Sequence, residues 1–193
     1  PKEIPQLPQS MHALNPERIM DLAVVGVVGV AWEMFDFGNN SVPRDEYTDA
    51  AVRYIKAMQT PAGNWDVFES RRPPMNSGLY QTTALAVYTL KTYGPPAEQA
   101  DTDKALARAA AWLEAAKPVT TQDRAFHLMG LAWSNVRPLS IAAAAKALAG
   151  AQRPDGGWNQ LPTMGSDAYA TGEALYALNA AGRMPATDPV YAK

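Results

Sequence analysis

The stretch Gln59-Thr-Pro-Ala-Gly-Asn-Trp65 returns about ninety residues later as Gln152-Arg-Pro-Asp-Gly-Gly-Trp158, both times behind a helical segment. The chain holds only five Trp, so two of them at one spacing after a Gln and a Pro-Gly turn impose a period on the fold. Three segments close alike and meet a Pro at once or one residue later: Val52-Arg-Tyr-Ile-Lys-Ala-Met-Gln59, Ala110-Ala-Trp-Leu-Glu-Ala-Ala-Lys117 and Lys146-Ala-Leu-Ala-Gly-Ala-Gln152. Three others are apolar throughout: Thr83-Ala-Leu-Ala-Val-Tyr-Thr-Leu90, Arg124-Ala-Phe-His-Leu-Met-Gly-Leu131 and Thr171-Gly-Glu-Ala-Leu-Tyr-Ala-Leu178. The two kinds alternate, which makes the unit a helical hairpin of about 45 residues.

The first kind is amphipathic. Tyr47, Ala51, Tyr54, Ile55 and Met58 share a stripe, while Arg44, Asp45, Asp49, Arg53 and Lys56 lie elsewhere, as in a helix with one solvated face. The second kind carries few charges on any face, as helices packed on both sides do. The reading is therefore inner helices near 17–37, 77–92, 122–135 and 167–181, with outer helices near 44–59, 102–116 and 138–151. Asn15-Pro16 and Asp101-Thr-Asp103 read as helix starts, Gly94-Pro-Pro and Gly182 as stops. Alternating β-branched runs are scarce, so the class is all-α, with about seven helices in one domain over residues 1–193. Ala186-Thr-Asp-Pro-Val-Tyr-Ala-Lys193 opens as Ala100-Asp-Thr-Asp-Lys-Ala-Leu106 does, which predicts a further outer helix and a piece of a longer repeat array. The open C-terminal edge would be closed by a further chain segment or by a second copy.

The net charge of −2 supplies no general attraction to nucleic acid or anionic lipid. No cysteine is present, which removes disulfides, thiolate metal sites and cysteine nucleophiles. The most apolar run, Leu22 to Trp32, spans about 16 Å as a helix, about half of a bilayer core, so it reads as a buried helix and not a membrane span. It lacks the basic flank and cleavage site of a signal peptide. No metal or cofactor is called for.

In the repeated loop, Pro61 and Pro154 preset φ for a tight turn, and Gly63 and Gly156 stand where it closes. Gly157, matched by Asn64, fits a place wanting positive φ. A Gln side chain both donates and accepts, so Gln59 and Gln152 can serve the carbonyls orphaned at an outer helix end and the N–H groups at the next start. Trp65 and Trp158 would fold back over the Gln amide as a lid. Each Gln–Trp pair then clips neighbouring outer helices, with Asp155 in the turn. The competing reading is a ligand loop using the exposed amides of Asp155-Gly-Gly-Trp158. The middle hairpin, Lys117-Pro-Val-Thr-Thr-Gln-Asp123, lacks the pair, so one clip reads as decayed.

Gln152-Arg-Pro-Asp-Gly-Gly-Trp158 followed by Ala170-Thr-Gly-Glu-Ala-Leu-Tyr-Ala-Leu178, with Gln59–Trp65 followed by Thr82-Thr-Ala-Leu-Ala-Val-Tyr-Thr-Leu90, resembles the QW repeat of squalene–hopene and oxidosqualene cyclases and the wider prenyltransferase/squalene-oxidase repeat group. The pattern covers about residues 40–193. The resemblance implies an α/α toroid, here partial, with inner helices inside a ring of outer ones and a cavity at one end. In triterpene cyclases that cavity is lined by aromatics and an Asp-rich DxDD motif protonates the substrate. No DxDD occurs here; Asp101-Thr-Asp103 is the nearest and sits on an outer helix. The zinc ligands of protein prenyltransferases and the thioester of complement-like toroids both need a Cys that this chain lacks.

Several residues carry chemistry in one reading and structure in another. His127 is either a general base or pH sensor, or a hydrogen-bonded core residue. Glu173 on the last inner helix would be raised by burial and suit a general acid. Glu33 and Asp36 share a helix face, as paired carboxylates or as a solvated helix end. Asp167 reads as the N-cap of the last inner helix, at what the resemblance makes the toroid mouth. Trp32, Phe35, Tyr80, Tyr88, Phe126, Trp133, Tyr169 and Tyr176 fall on inner helices, as a lining for an isoprenoid chain or cation, or as ordinary core. The loop Val67-Phe-Glu-Ser-Arg-Arg-Pro-Pro74 offers two Arg to an anion or to solvent. The leading expectation is a cyclase-like repeat domain without a recognised catalytic motif, binding an apolar, isoprenoid-like or carbohydrate-like ligand or another chain segment on its inner face. The alternatives are a terpenoid cyclase or prenyltransferase-type enzyme whose acid lies outside this segment, and a toroidal polysaccharide lyase, whose arginine base and calcium carboxylates do not assemble here.

Overall fold

The computed structural model describes residues 19–66, 70–72, 75–134 and 136–192, with side chains from Gly26 onward in the first helix and outside 70–72 and 75–77. The Asn15-Pro16 start lies outside the described residues, as do parts of the Val67–Pro74 loop and its Arg side chains. Seven α-helices are described: α1 Ile19–Asn39, α2 Glu46–Ala57, α3 Leu79–Tyr93, α4 Gln99–Ala115, α5 Thr121–Trp133, α6 Pro138–Ala149 and α7 Ala168–Ala180. The long loop before α3 holds a small antiparallel hairpin, β1 Ser70–Arg72 with β2 Met75–Ser77, in register Arg71 to Asn76. A short 3-10 turn, Pro189–Tyr191, follows α7 behind the N-cap Asp188. Among the described residues no helix is long and apolar enough to cross a membrane.

Local chemistry starts and stops these helices. Asp45 with Thr48, and Thr120 with Asp123, form reciprocal capping boxes at α2 and α5, and Asp167 Oδ1 accepts from the Ala170 N–H at α7. The α4 start expected at Asp101 lies earlier: a 3-10 turn at Pro96–Glu98 leads straight into Gln99, and Thr102 is buried. In α1 the backbone leaves the helical region at Gly26, where φ is 70°, a conformation open to Gly at little cost. The apolar run there buries Val27, Val30 and Ala31 but leaves Trp32 40% exposed, so it is only partly the buried helix expected.

Helices α1, α3, α5 and α7 pack side by side in that order, and α2, α4 and α6 lie against the seams between them. The core sits between the two layers. Met34, Leu85, Leu90, Leu128, Leu131 and Leu178 of the first layer meet Ile55, Leu113 and Leu148 of the second, all 2% exposed or less. Met58, placed on the apolar stripe by its spacing, is instead 48% exposed at the end of α2.

The two Gln–turn–Trp loops make the same set of bonds. Each turn closes with Gly63 N–H to Thr60 O, or Gly156 N–H to Arg153 O, and both glycines have positive φ. Positive φ is thus at Gly63 and Gly156 and not at Asn64 or Gly157, where the sequence reading put it. Gly157 is required for space: a Cβ there would lie 2.7 Å from Ser166 Cβ. Asp155 caps this turn through Gly157 N–H and Ser166 Oγ.

The roles of Gln and Trp also differ from expectation. The indole N–H, not the Gln, enters the helix end: Trp65 Nε1 donates to Ile55 O at 2.6 Å and Trp158 Nε1 to Leu148 O at 2.9 Å. Both rings are fully buried. Gln59 Nε2 donates to Gly63 O in its own turn and to Ala105 O of α4, while Arg108 donates to Gln59 Oε1. Gln152 Nε2 repeats this with Gly156 O and Val190 O. The Trp backbone N–H groups donate to the Thr83 and Thr171 hydroxyls on α3 and α7.

The middle hairpin lacks the Gln–Trp pair, as its sequence reads, but keeps a ring donor at the helix end. Leu113 stands four residues before Lys117, as Ile55 stands before Gln59 and Leu148 before Gln152, and its carbonyl accepts from His127 Nε2 at 2.8 Å. A carbonyl only accepts, so Nε2 carries the proton. His127 matches buried Ala86 and Ala174 in the aligned helices α3 and α7, and supplies from α5 the ring N–H that Trp supplies elsewhere.

Each ring N–H should therefore be worth about 1 kcal/mol net, with more lost where a smaller ring leaves a void. Trp65→Phe, Trp158→Phe and His127→Phe are each expected to lower the urea midpoint. Unchanged midpoints would show these bonds to be dispensable. Burial also depresses the His127 pKa below its usual value, so the stability contributed by this one group should fall as pH drops below about 6.5. His127→Phe should remove that loss.

Candidate functional site

The candidate residues of the first layer divide into an aromatic strip and a carboxyl cluster, most of them partly buried. Trp32 and Phe35 of α1, Tyr88 of α3, and Phe126 and Trp133 of α5 form one connected set. Ring centroids are 5.8 Å apart for Trp32–Phe35, 6.0 Å for Trp32–Phe126, 4.9 Å for Phe35–Tyr88 and 5.0 Å for Tyr88–Trp133, all edge-on. Such contacts add about 0.5–1.5 kcal/mol each beyond area burial. Gly38 makes room for the stack, since a Cβ there would meet the Tyr88 hydroxyl at 2.2 Å. Trp32 at 40% and Tyr176 at 49% exposure leave the strip open to solvent, whereas Ala31, Met34, Ala174 and Ala177 on the opposite sides of their helices are buried.

Tyr80 does not join it. Its ring packs on Trp112 of α4 and on His127, toward the second layer, so it is corrected from a lining residue to an interlayer one. His127 likewise points at Leu113 O and not at the strip. A groove of about 330 Å³ runs past it between α4, α5 and α6, with Glu114, Arg124 and Ser140 along its sides. A second, of about 500 Å³, lies between Val136, Ile141, Gly182 and Arg183. Neither reaches the strip or the carboxyl cluster.

Glu33 and Asp36 take separate partners and form no pair. Tyr47 Oη donates to Glu33 Oε2 at 2.6 Å, tying α1 to α2 and pushing the phenol pKa far up, chiefly through burial and then through this carboxylate. Asp36 accepts from Asn40 Nδ2 at the exposed end of α1.

The carboxyl cluster gathers at the N-terminal ends of α5 and α7. Asp123 Oδ2 accepts from the Val119 and Thr120 N–H groups, and Asp167 Oδ1 from Ala170 N–H and Gln160 Nε2. Glu173 sits a turn and a half into α7, partly buried, with Oε2 shut from solvent and without a hydrogen-bond donor. Burial first, and then the negative charges of Asp123 and Asp167, push its carboxyl up to about 8. It is thus a protonated acid at neutral pH, held between two capped carboxylates. Tyr169, 40% exposed and raised by burial and by Glu173, stands one turn before it on the same helix.

Sequence reasoning missed Gln160, Asp123 and the threonines on the Trp N–H groups. The threonines left a signal as the shared first residues of the aligned segments Thr83–Leu90 and Thr171–Leu178, and Asp123 left one in the capping spacing Thr120-Thr-Gln-Asp123. Among the described residues no group of three His, Cys, Asp or Glu is placed to hold a metal. Compared with family models, curated proteins and solved structures, the chain finds no match.

The raised carboxyl sets a pH dependence. Between 4.5 and about 8 the folded chain keeps a proton on Glu173 that the unfolded chain has released. Stability from this group is full below that window and falls as pH rises through it, by up to ~1.4 kcal/mol per pH unit. Glu173→Leu should remove the slope and raise the melting temperature at about pH 8. Equal melting curves for both proteins across the window would contradict the assignment.

Proposed function

We propose that the chain is an α/α-toroid segment of the squalene cyclase and prenyltransferase QW-repeat kind, and that the aromatic strip of its inner layer binds an apolar, isoprenoid-like ligand. The observation that carries the binding reading is the strip itself. Five rings from three inner helices are stacked edge-on, and Trp32 and Tyr176 remain open to solvent. Open rings beside packed ones form a surface that gains about 25 cal/mol for each Å² an apolar guest removes from water. The toroid part draws on the alternation of two helix layers and on the two Gln–turn–Trp loops with matching bonds.

A second reading, an acid-initiated cyclase or prenyltransferase-type enzyme, draws on one observation: Glu173 holds its proton at neutral pH beside the inner-layer tyrosines. It predicts turnover of an isoprenoid substrate that Glu173→Gln abolishes.

Titration with farnesol, followed by Trp fluorescence, tests the binding reading. Saturable quenching is expected. Trp32→Ala should weaken it about tenfold, ~1.4 kcal/mol, with little change in melting temperature because the ring is partly exposed. Absence of saturable binding would overturn the proposal.

A further inference from the structure

The loop at Gln59–Trp65 leaves α2 and rests on the neighbouring outer helix, α4. Gln59 Nε2 donates to Ala105 O, and Gly63 comes so close that a Cβ there would lie 2.4 Å from Arg108 O. Counted back from the carbonyls that receive the ring N–H groups, Leu113 O in α4 and Leu148 O in α6, Ala105 matches Ser140 and Arg108 matches Ala143. Ser140 and Ala143 both line the groove of about 330 Å³ between α4, α5 and α6. That groove is the place where a loop from the end of α4 would lie if the middle hairpin had one.

The middle hairpin leaves the place uncovered. The stretch from Leu113 to Arg124 is less than half as long as those from Ile55 to Thr83 and from Leu148 to Thr171, too short to lay a turn and a Trp over α6. His127 supplies the donor to Leu113 O, but an imidazole is smaller than an indole, and its ring forms one wall of the groove.

The groove also holds a charge without a partner. Arg124 stands in α5 where Thr83 and Thr171 stand in α3 and α7, the place that accepts the Trp backbone N–H in the other two junctions. Its side chain is partly buried, and among the described residues it joins no ion pair or hydrogen bond. The other charge on the groove is already met, since Glu114 accepts from Arg137 and from Ser140 Oγ. One guanidinium is left over, and a guanidinium fits a carboxylate through two parallel N–H bonds.

Size and reach narrow the ligand further. A volume of about 330 Å³ is at the lower end of the ~300–1,000 Å³ of small-molecule sites, which suits a small ring system better than a whole peptide loop. In the first junction Trp65 spans the matched place, from its backbone N–H on Thr83 to its ring N–H on Ile55 O. In the middle junction the two ends of that span are Arg124 and the His127–Leu113 pair.

We infer that the groove between α4, α5 and α6 binds a small aryl-alkanoic acid, seated where the other two junctions hold their Trp. The carboxylate meets the Arg124 guanidinium, and the ring lies against the His127 imidazole and Leu131. The ring needs no N–H of its own, because His127 already serves Leu113 O. A neutral amide would leave the guanidinium unmatched, and an ammonium would be repelled by it. The site is separate from the aromatic strip and does not rest on the strip taking a ligand.

Calorimetric titration of the chain with naphthylacetate, naphthylacetamide and naphthylethylamine tests this. The acid is expected to bind about tenfold more tightly than the amide, with the amine weakest, and to shift the ring resonances of His127. Arg124→Gln should bring the acid down to the affinity of the amide and leave the amide unchanged. Ala147 is an exposed residue on the groove, and Ala147→Trp installs there the residue that α4 has in the matched place, Trp112. That variant should weaken acid and amide alike, whereas Trp32→Ala in the strip should change neither. Equal affinity for acid and amide in the wild type, an acid preference that survives Arg124→Gln, or binding that Trp32→Ala removes and Ala147→Trp leaves intact would overturn the groove site. So would failure of the acid to bind, and the strip would still be judged by farnesol alone.

Discussion

The two layers are joined by ring N–H groups that enter the last turns of α2, α4 and α6. Ile55 O receives Trp65, Leu148 O receives Trp158 and Leu113 O receives His127. In each case the ring is anchored to the first-layer helix that follows: through Thr83 in α3, through Thr171 in α7, and directly in α5. A helix C-terminus leaves carbonyls short of donors, and burying it would be unfavourable without such a partner. The ring both supplies the donor and fills the space between the layers. Gln59 and Gln152 then extend each junction sideways, to Ala105 in α4 and to Val190 after α7. Each junction thus ties one second-layer helix to the first-layer helix that follows it.

Much of this layout was legible from the chain because its signals are local. Pro61, Gly63, Pro154 and Gly156 announce a turn wherever they stand, and the alternation of amphipathic and wholly apolar segments assigns helices to layers. The partners of Gln and Trp were exchanged in the reading because both can serve a helix end, and the choice between them depends on reach. The His127 bond was hidden for a different reason. It replaces a residue missing from its own loop, and only the alignment of His127 with Ala86 and Ala174 hints that a ring has moved from the loop to the helix. Glu33 was misread because its partner, Tyr47, belongs to another helix.

Helical spacing separates the aromatics that form the strip from the one that does not. Phe126 and Trp133 are seven residues apart, nearly two full turns, and so are Tyr169 and Tyr176; each pair shares a face. Tyr80 and Tyr88 are eight apart, which turns them by about 80° around α3. Tyr88 therefore reaches Phe35 while Tyr80 reaches Trp112. Counting aromatics on inner helices overstated the lining for this reason, and counting by face would have excluded Tyr80.

The same counting applies to the polar chemistry of α7. Within the repeat, Leu85, Phe126 and Glu173 hold one matched place in α3, α5 and α7. Leu85 and Phe126 fill it with apolar surface. Glu173 fills it with a carboxyl that keeps its proton, next to two carboxylates whose backbone caps fix them in place. Apolar side chains at all three places would make the fold more stable. One of three matched places thus carries a group whose burial costs stability that an apolar side chain there would not.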